Sequence, residues 1–412
     1  MSSRSDGRGV DWAPGPGAAP GPDGASGANG VSAANGASAA NGISAANGRS
    51  RDGGSPSDAR RPRLGRARDW AELLRISALF TVPGDALAGA AAIGVRPNAH
   101  TLAAIGSSLC LYEAGMALND WADHDEDAVD RPHRPLPSGR IPPGAALAAA
   151  GVLTATGLGL AARAGRPALT VASLLAGSVW AYDLKLKHTA AGPAAMATAR
   201  GLDLLLGAVA SGAVAERAMT SAAVASGVGA EVGAGTGART GAGVGVGGAG
   251  TRAGVTADAV RRALPSSAVL AAHTLAVTTV SRREAQGGSA LTPLAALAAT
   301  TLLGRVVASP GGPNAVRLPG PAAIRLPGPA TVRLAPHHLL GAAYVATAAR
   351  PLWHAALNPS PQLTQRAVGG GIRAMIPLQS ALAARAGSLG TALATAALAP
   401  LARRLGKRVS AT

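Results

Sequence analysis

The sequence predicts an all-α protein, a multi-span transmembrane helical bundle of about nine helices. Three observations carry that expectation. Apolar residues make up 48% of the 412-residue chain but aromatics only 2%. The apolar mass is therefore Ala, Leu, Val and Gly, which suits close helix packing in lipid better than an aromatic-rich soluble core. Apolar stretches of about 17 to 25 residues, long enough to span a bilayer, recur along the chain. The acids, by contrast, are gathered: residues 119–140 form the most acid-dense segment of an acid-poor sequence.

Taken in order, residues 1–65 are low in complexity, with SAANG recurring at Ser32, Ser38 and Ser44. They lack the regular large apolar residue that a solenoid would bury, so a disordered tail is expected. No apolar signal-peptide core is visible there. The tail ends in Arg60, Arg61, Arg63, Arg66 and Arg68, a basic run that the positive-inside rule keeps cytoplasmic. The membrane domain is expected over 66–412, with spans near 70–95, 99–118, 144–163, 166–183, 190–213, 264–280, 290–308, 337–357 and 376–402. Asp85, Arg200, Asp203 and His273 interrupt them, and interior polar groups of this kind normally face a cavity rather than lipid. Two stretches read as insertions. Residues 214–262 are rich in Gly, Ala and Val without helical or strand period, a flexible loop. Residues 309–336 repeat AVRLPGPA, AIRLPGPA, TVRLAP, an extended linker with polyproline II character.

With the N-terminus inside, the even-numbered connections are cytoplasmic, and the polar chemistry collects there. The basic end at Arg403, Arg404, Lys407 and Arg408 falls outside on a nine-span count and argues against it. The formal charge of +17 could point to nucleic acid, but the arginines are scattered between apolar runs with no basic face or stacking platform. No nucleic-acid partner is expected. Cys110 is the only cysteine, which excludes a disulfide framework and a thiolate metal site.

Chemistry concentrates in Asn119 to Arg140, NDWADHDEDAVDRPHRPLPSGR. On one helix Asn119, Asp123 and Asp127 fall at i, i+4 and i+8, with Asp120, Glu126 and Asp130 beside them and Asp125 on the opposite side. Like charges on one face call for a cation, and an all-oxygen ligand set suits a hard divalent ion such as Mg²⁺, which binds through carboxylates and substrate phosphates. A solvated charged loop between two spans is the alternative.

The ordered string N-D-x-x-D-x-x-x-D followed by R-P-x-R-P-L-P-S-G-R resembles the first aspartate-rich motif of the UbiA superfamily of intramembrane prenyltransferases. The resemblance covers roughly Trp70 to Arg404, apart from the two insertions. It implies a helical bundle around a central cavity, Mg²⁺, an isoprenoid diphosphate donor, a lipophilic acceptor and surrounding membrane lipids. The expected location is a bacterial plasma membrane, with the site on the cytoplasmic side where the positive-inside rule puts the polar connections. On that resemblance Asn119, Asp120, Asp123 and Asp127 are the metal ligands, and Asp123, Asp127 and Lys185 the catalytic set. Asn119, Arg134, Arg140 and Lys187 are the diphosphate contacts; Arg282 and Arg283, which stand where the sequence departs from the family, are expected to contact the diphosphate in place of a second metal ion.

Tyr182 and Asp183 precede Lys185 and Lys187 directly after a span, which interfacial anchoring would also explain. The family's second acidic cluster, typically D-x-x-x-D, is replaced here by Ser281-Arg282-Arg283-Glu284. That departure favours a rival reading, a non-catalytic subunit that binds a lipid diphosphate; a second rival is a CDP-alcohol phosphotransferase-like enzyme, which also places D-x-x-x-D at a membrane helix end. The latter would need an upstream D-G-x-x-A-R run that the sequence lacks.

Overall fold

The computed structural model describes residues 66–225, 247–282, 289–309 and 335–402, and among them every regular element is helical. The tail at 1–65, most of the second insertion, Arg283 and Glu284 lie outside the described residues. The helices are α1 (Ala67–Leu73), α2 (Val82–Ala92), α3 (Ala99–Ala122), α4 (His124–Asp130), α5 (Pro143–Ala164) and α6 (Arg166–Ala181). They continue as α7 (Gly192–Ala225), α8 (Gly247–Ser281), α9 (Leu291–Ala308), α10 (Pro336–Leu357), α11 (Pro361–Arg385) and α12 (Leu389–Ala396). Five of the described helices are long and apolar enough to cross a membrane.

Seven of the nine expected spans correspond to single helices, and the first and last do not. The stretch 70–95 is broken into α1, a 3₁₀ turn at Ile76–Thr81 and α2. The break falls where Arg75 takes a left-handed backbone, φ 50° and ψ 48°. The last helix starts earlier than expected, at Pro361, and Gly387 (φ 82°) then turns the chain into the short α12. Arg366 and Arg373 consequently lie within α11 rather than in a loop. Helix also extends into both ends of the first insertion, through 214–225 and 247–262. Alanine-rich flanks propagate a helix without a large apolar stripe, so periodicity missed them.

The packing is a closed circuit. Helices α3, α5, α6 and α7 pack in one half and α8 to α11 in the other, and α2 touches α3, α7, α8 and α11 between them. Burial sorts the spans. The apolar windows of α3 and of Gly192–Ala213 are 61% buried, whereas those of α5 and α9 are 22% and 28% buried, so the latter present Val152, Leu291 and Leu302 outward as a lipid-facing helix must. The two central helices reach the core through small residues. A Cβ on Gly207 would overlap the Ala86 backbone, so α2 and α7 cross backbone to backbone. Helix α3 starts on a reciprocal cap: Asn98 Oδ1 accepts from His100 N at 2.9 Å, and Thr101 Oγ1 accepts from Asn98 N at 3.0 Å. His273 does not line the cavity but is packed between helices, at hydrogen-bond distance from the Tyr344 hydroxyl (3.0 Å) and the Gly371 carbonyl (3.1 Å).

Candidate active site

The acidic segment does not continue as one helix. Helix α3 ends at Ala122, Asp123 sits at the junction with φ −100° and ψ 7°, and α4 follows. The four-residue register nevertheless survives the break. Asp123 N donates to Asn119 O (3.0 Å), Asp127 N to Asp123 O (2.8 Å) and Arg131 N to Asp127 O (2.8 Å). Asn119, Asp120 and Asp127 are buried, while the Asp125 side chain is 96% exposed. The expected division of faces holds for Asn119, Asp120 and Asp127 against Asp125, but Asp130, expected beside the first set, is exposed, because the helix predicted to carry them is kinked at Asp123.

Each inward acid has a cation against it. Arg75 Nη2 lies 2.8 Å from Asp120 Oδ1, and Arg134 Nη1 lies 2.6 Å from Asp127 Oδ2 and 3.7 Å from Asp120 Oδ1. Arg131 adds a contact to Asp127 at 3.4 Å. Lys187 Nζ donates to Asp123, whose same oxygen is 4.0 Å from His188 Nε2. The turn that returns Arg134 is made rigid by prolines 132, 135 and 137. It is pinned by buried Leu136, by the bond from Ser138 N to Arg134 O (3.0 Å), and by Gly139 at φ 70°.

Two expected contacts go elsewhere. Arg140 turns away from the carboxylates to α1, donating to Asp69 Oδ1 and Glu72 Oε2 (2.8 Å each), to Glu72 Oε1 (3.1 Å) and to the His133 carbonyl (2.7 Å). It is a strut between α1 and the turn. The Glu72 and Asp69 carboxylates hold the Arg140 proton more firmly than usual, against some loss of hydration. Asp69 is held below the ordinary carboxylate range, first by the Arg66 backbone N–H and then by Arg140. Lys185 is exposed whereas Lys187 is buried. The reason is a π-helical turn at Tyr182–Leu186, with Lys187 N bonded to Tyr182 O at 3.0 Å. The wider turn brings Tyr182, Asp183 and Lys187 inward together and leaves Lys185 out. Arg282 is half-buried at the end of α8, and its neighbour Arg283 lies outside the described residues.

Below the acidic mouth is a cavity of about 150 Å³, mostly apolar, whose wall includes Leu111, Gly115, Val179, Asp183, Arg200 and Asp203. Asp183 joins the two regions, since it lines the cavity and lies within electrostatic range of Lys187, Asp123, Asp120 and Arg75. Arg75 and Asp183 were not singled out as site residues by sequence reasoning. An arginine inside an apolar run was the available signal for the first.

The donor set fits a hard divalent ion. Asn119 Oδ1 is buried without a hydrogen-bond partner among the described residues, and Asp120 and Asp127 supply further oxygens nearby. A second grouping, Asp123, Glu126 and His188, brings its ligand atoms within 4.8 Å of one another. Glu126 and His188 extend the set expected from sequence.

The profile of the UbiA prenyltransferase family matches residues 77–231. The digeranylgeranylglyceryl phosphate synthase of Methanopyrus kandleri is 36% identical over 127 residues, 30% of this chain and 45% of that protein. That of Ignicoccus hospitalis is 34% identical over 125 residues, 30% and 41% of the two chains. The chloroplastic chlorophyll synthase of Arabidopsis thaliana is 39% identical over 92 residues, 20% and 24% of the two chains. The chain thus matches less than half the length of each. A solved UbiA homologue from Aeropyrum pernix K1, 18% identical, overlays 72% of this chain and 96% of its own with a TM-score of 0.45. With its apolar spans, this protein is an integral membrane protein. On the motif and the matched segment, residues 77–231 of this chain are similar to the UbiA prenyltransferase family.

Proposed function

We propose that the protein is a prenyltransferase that moves a prenyl group from an isoprenoid diphosphate to a lipophilic acceptor. The observation that carries this reading is the placement of paired acids and cations at the mouth of an apolar cavity inside the bundle. Asn119, Asp120, Asp123 and Asp127, with Glu126 and His188, would hold Mg²⁺, which supplies positive charge against the diphosphate. Arg75, Arg134 and Lys187 donate to phosphate oxygens as charge accumulates there when the prenyl C1–O bond breaks. The apolar wall keeps water from the allylic cation until the acceptor bonds to C1 and releases a proton. Arg282 and Arg283 are assigned to the diphosphate in place of a second acidic cluster, since a guanidinium fork matches phosphate oxygens without an ion. Basic residues before the first helix support a mouth facing the cytoplasm, which we assign to a bacterial plasma membrane. The membrane domain is taken as 66–412.

The test is to incubate the purified protein with Mg²⁺ and radiolabelled prenyl diphosphates, with and without a cell lipid extract. Diphosphate release that requires both metal and extract is expected. Tight binding without release under all conditions would replace the enzyme with a carrier of lipid diphosphates.

A further inference from the structure

The central cavity ends on a polar floor. There Asp85 of α2 is buried against Arg200 of α7 and Gln379 of α11, each at 2.6 Å, and Arg200 lies 3.9 Å from Asp203. Beyond it, at the end of the bundle opposite the mouth, is a second cavity of about 390 Å³ between the end of α2, α7 and α8. Its depth in the membrane follows from helix length. The wall includes Gly212, next to Ser211, whose carbonyl accepts at 3.1 Å from the side-chain amide of Asn98, the residue that caps α3. From that level α3 runs 24 residues into the acidic segment, about 36 Å at 1.5 Å per residue. The hydrocarbon layer of a bilayer is about 30 Å thick. The second cavity therefore lies at the other membrane interface.

One side of its wall is apolar: Ile93, Val95, Val255 and Ala259, with open space beside Gly254. The other side is charged. Arg262 Nε lies 2.8 Å from Asp258 Oδ2, and Arg262 Nη1 donates to the Ile93 carbonyl at 3.4 Å. Arg261 Nη2 lies 2.7 Å from the other Asp258 oxygen, and the exposed Arg96 directly follows Val95. Among the described residues of this cluster, one carboxylate is set against three guanidiniums. Capping the last carbonyls of α2 accounts for Arg262 alone. Nor do the arginines stand here to set topology, since with the mouth cytoplasmic the positive-inside rule disfavours them at this interface. An excess of cations beside an apolar wall, at headgroup depth, matches a ligand that is anionic at one end and apolar at the other.

We propose that this cavity binds an anionic phospholipid of the leaflet opposite the mouth. The phosphate sits against Arg261 and Arg262, whose guanidinium forks match phosphate oxygens. The first acyl segment packs on Ile93, Val95 and Val255. A zwitterionic lipid brings its own cation to a cluster already in positive excess. Inorganic phosphate finds the arginines but leaves the apolar wall uncovered. The site is independent of the activity assigned to the mouth.

The experiment titrates the delipidated full chain in detergent with dioleoyl phosphatidylglycerol or dioleoyl phosphatidylcholine and counts retained lipid by native mass spectrometry. Phosphatidylglycerol is expected to bind about tenfold more tightly, the scale of two interfacial arginines acting on one anionic headgroup. Arg261→Gln with Arg262→Gln should bring that preference below about threefold. Arg163→Gln with Arg166→Gln removes the same charge from the α5–α6 connection at the same end of the bundle, and should leave it unchanged. Gly254→Leu keeps every charge and fills the cavity, because a Cβ there meets open space; it should weaken phosphatidylglycerol binding about threefold or more. If the Arg261 and Arg262 variant does not fold, Gly254→Leu and the wild-type titrations decide. Equal binding of the two lipids, or Gly254→Leu binding as wild type does, overturns the proposal. So does an equal loss from the two arginine pairs, which would mean a diffuse basic surface. Displacement of phosphatidylglycerol by inorganic phosphate overturns it as well, since the apolar wall would then contribute nothing.

Discussion

The mouth and the floor of the cavity are built from the same residue types and behave as opposites. At the mouth Asp120, Asp123 and Asp127 face Arg75, Lys187 and Arg134, whose side chains retain 5–16% exposure. At the floor Arg200 also keeps 16%, but Asp85 has none, and the partners of Asp85 come from two other helices, α7 and α11. A pair reached by solvent can exchange partners, so the mouth cations can leave their acids for phosphate oxygens. A pair locked between spans cannot, because each charge alone would be stranded in lipid-like surroundings. The mouth is therefore built for turnover, and the floor for shape.

The largest effect should come from breaking the floor. Arg200→Ala leaves Asp85 and Asp203 buried without their cation, and removing one partner of such a pair typically costs about 3–5 kcal/mol. Thermal unfolding in detergent should fall steeply. A loss no larger than that of Arg134→Ala would mean the two clusters are not different in kind.

The mouth should respond in binding rather than stability. Asp123→Asn is expected to abolish Mg²⁺-dependent binding of a prenyl diphosphate, measured by equilibrium dialysis, while Asp125→Asn, almost wholly exposed, should leave it nearly intact. Equal losses would end the argument that one side of the kinked segment holds the ion. A smaller contrast tests the π-helical turn. Lys187→Ala should weaken diphosphate binding by about 1.5–3 kcal/mol, the scale of a charged hydrogen bond. Lys185→Ala should stay within about 0.5 kcal/mol, as surface changes usually do.

These contrasts separate what was legible in the sequence from what was not. The Asn119–Arg140 string, the helical bundle and seven of its long helices could be read because composition, length and charge clustering are one-dimensional signals. Asp85, Arg200 and Asp203 were visible as interruptions of apolar runs, and Arg200 with Asp203 as an i, i+3 pair, although the pairing of Arg200 with Asp85 was not, since it depends on where α2 and α7 cross. The choice of Lys187 over Lys185 was illegible because a π turn shifts the inward register by one residue, and no spacing rule announces it. Arg75 was hidden for a related reason: its left-handed backbone breaks the first span and swings an apparently interfacial arginine onto Asp120. Arg140 misled in the other direction. Its place at the end of the motif fits a phosphate contact, but its partners 68 and 71 positions away on α1 can be found only in three dimensions.

Arg140 also supplies the smallest expected effect. Asp69 is held below its ordinary range by the Arg66 N–H and by Arg140, so its ionised form is favoured in the folded protein. A depressed carboxylate contributes stability that is present above its unfolded value, about 3.9, and lost as pH falls through the lower folded value. The strut should therefore be fully formed from pH 5 upward, taken as roughly one unit above that value, and should open only in more acidic solution. Helix α1 is seven residues long, too short to hold itself, so its amide protection reports the strut directly. In Arg140→Ala, protection across Ala67–Leu73 should drop at neutral pH, and the difference from wild type should shrink as Asp69 protonates. Prenyl diphosphate binding at neutral pH should change little beside the loss in Arg134→Ala. If Arg140→Ala instead weakens that binding as much as Arg134→Ala does, Arg140 releases α1 when the diphosphate arrives. The strut would then be a second exchangeable pair of the mouth.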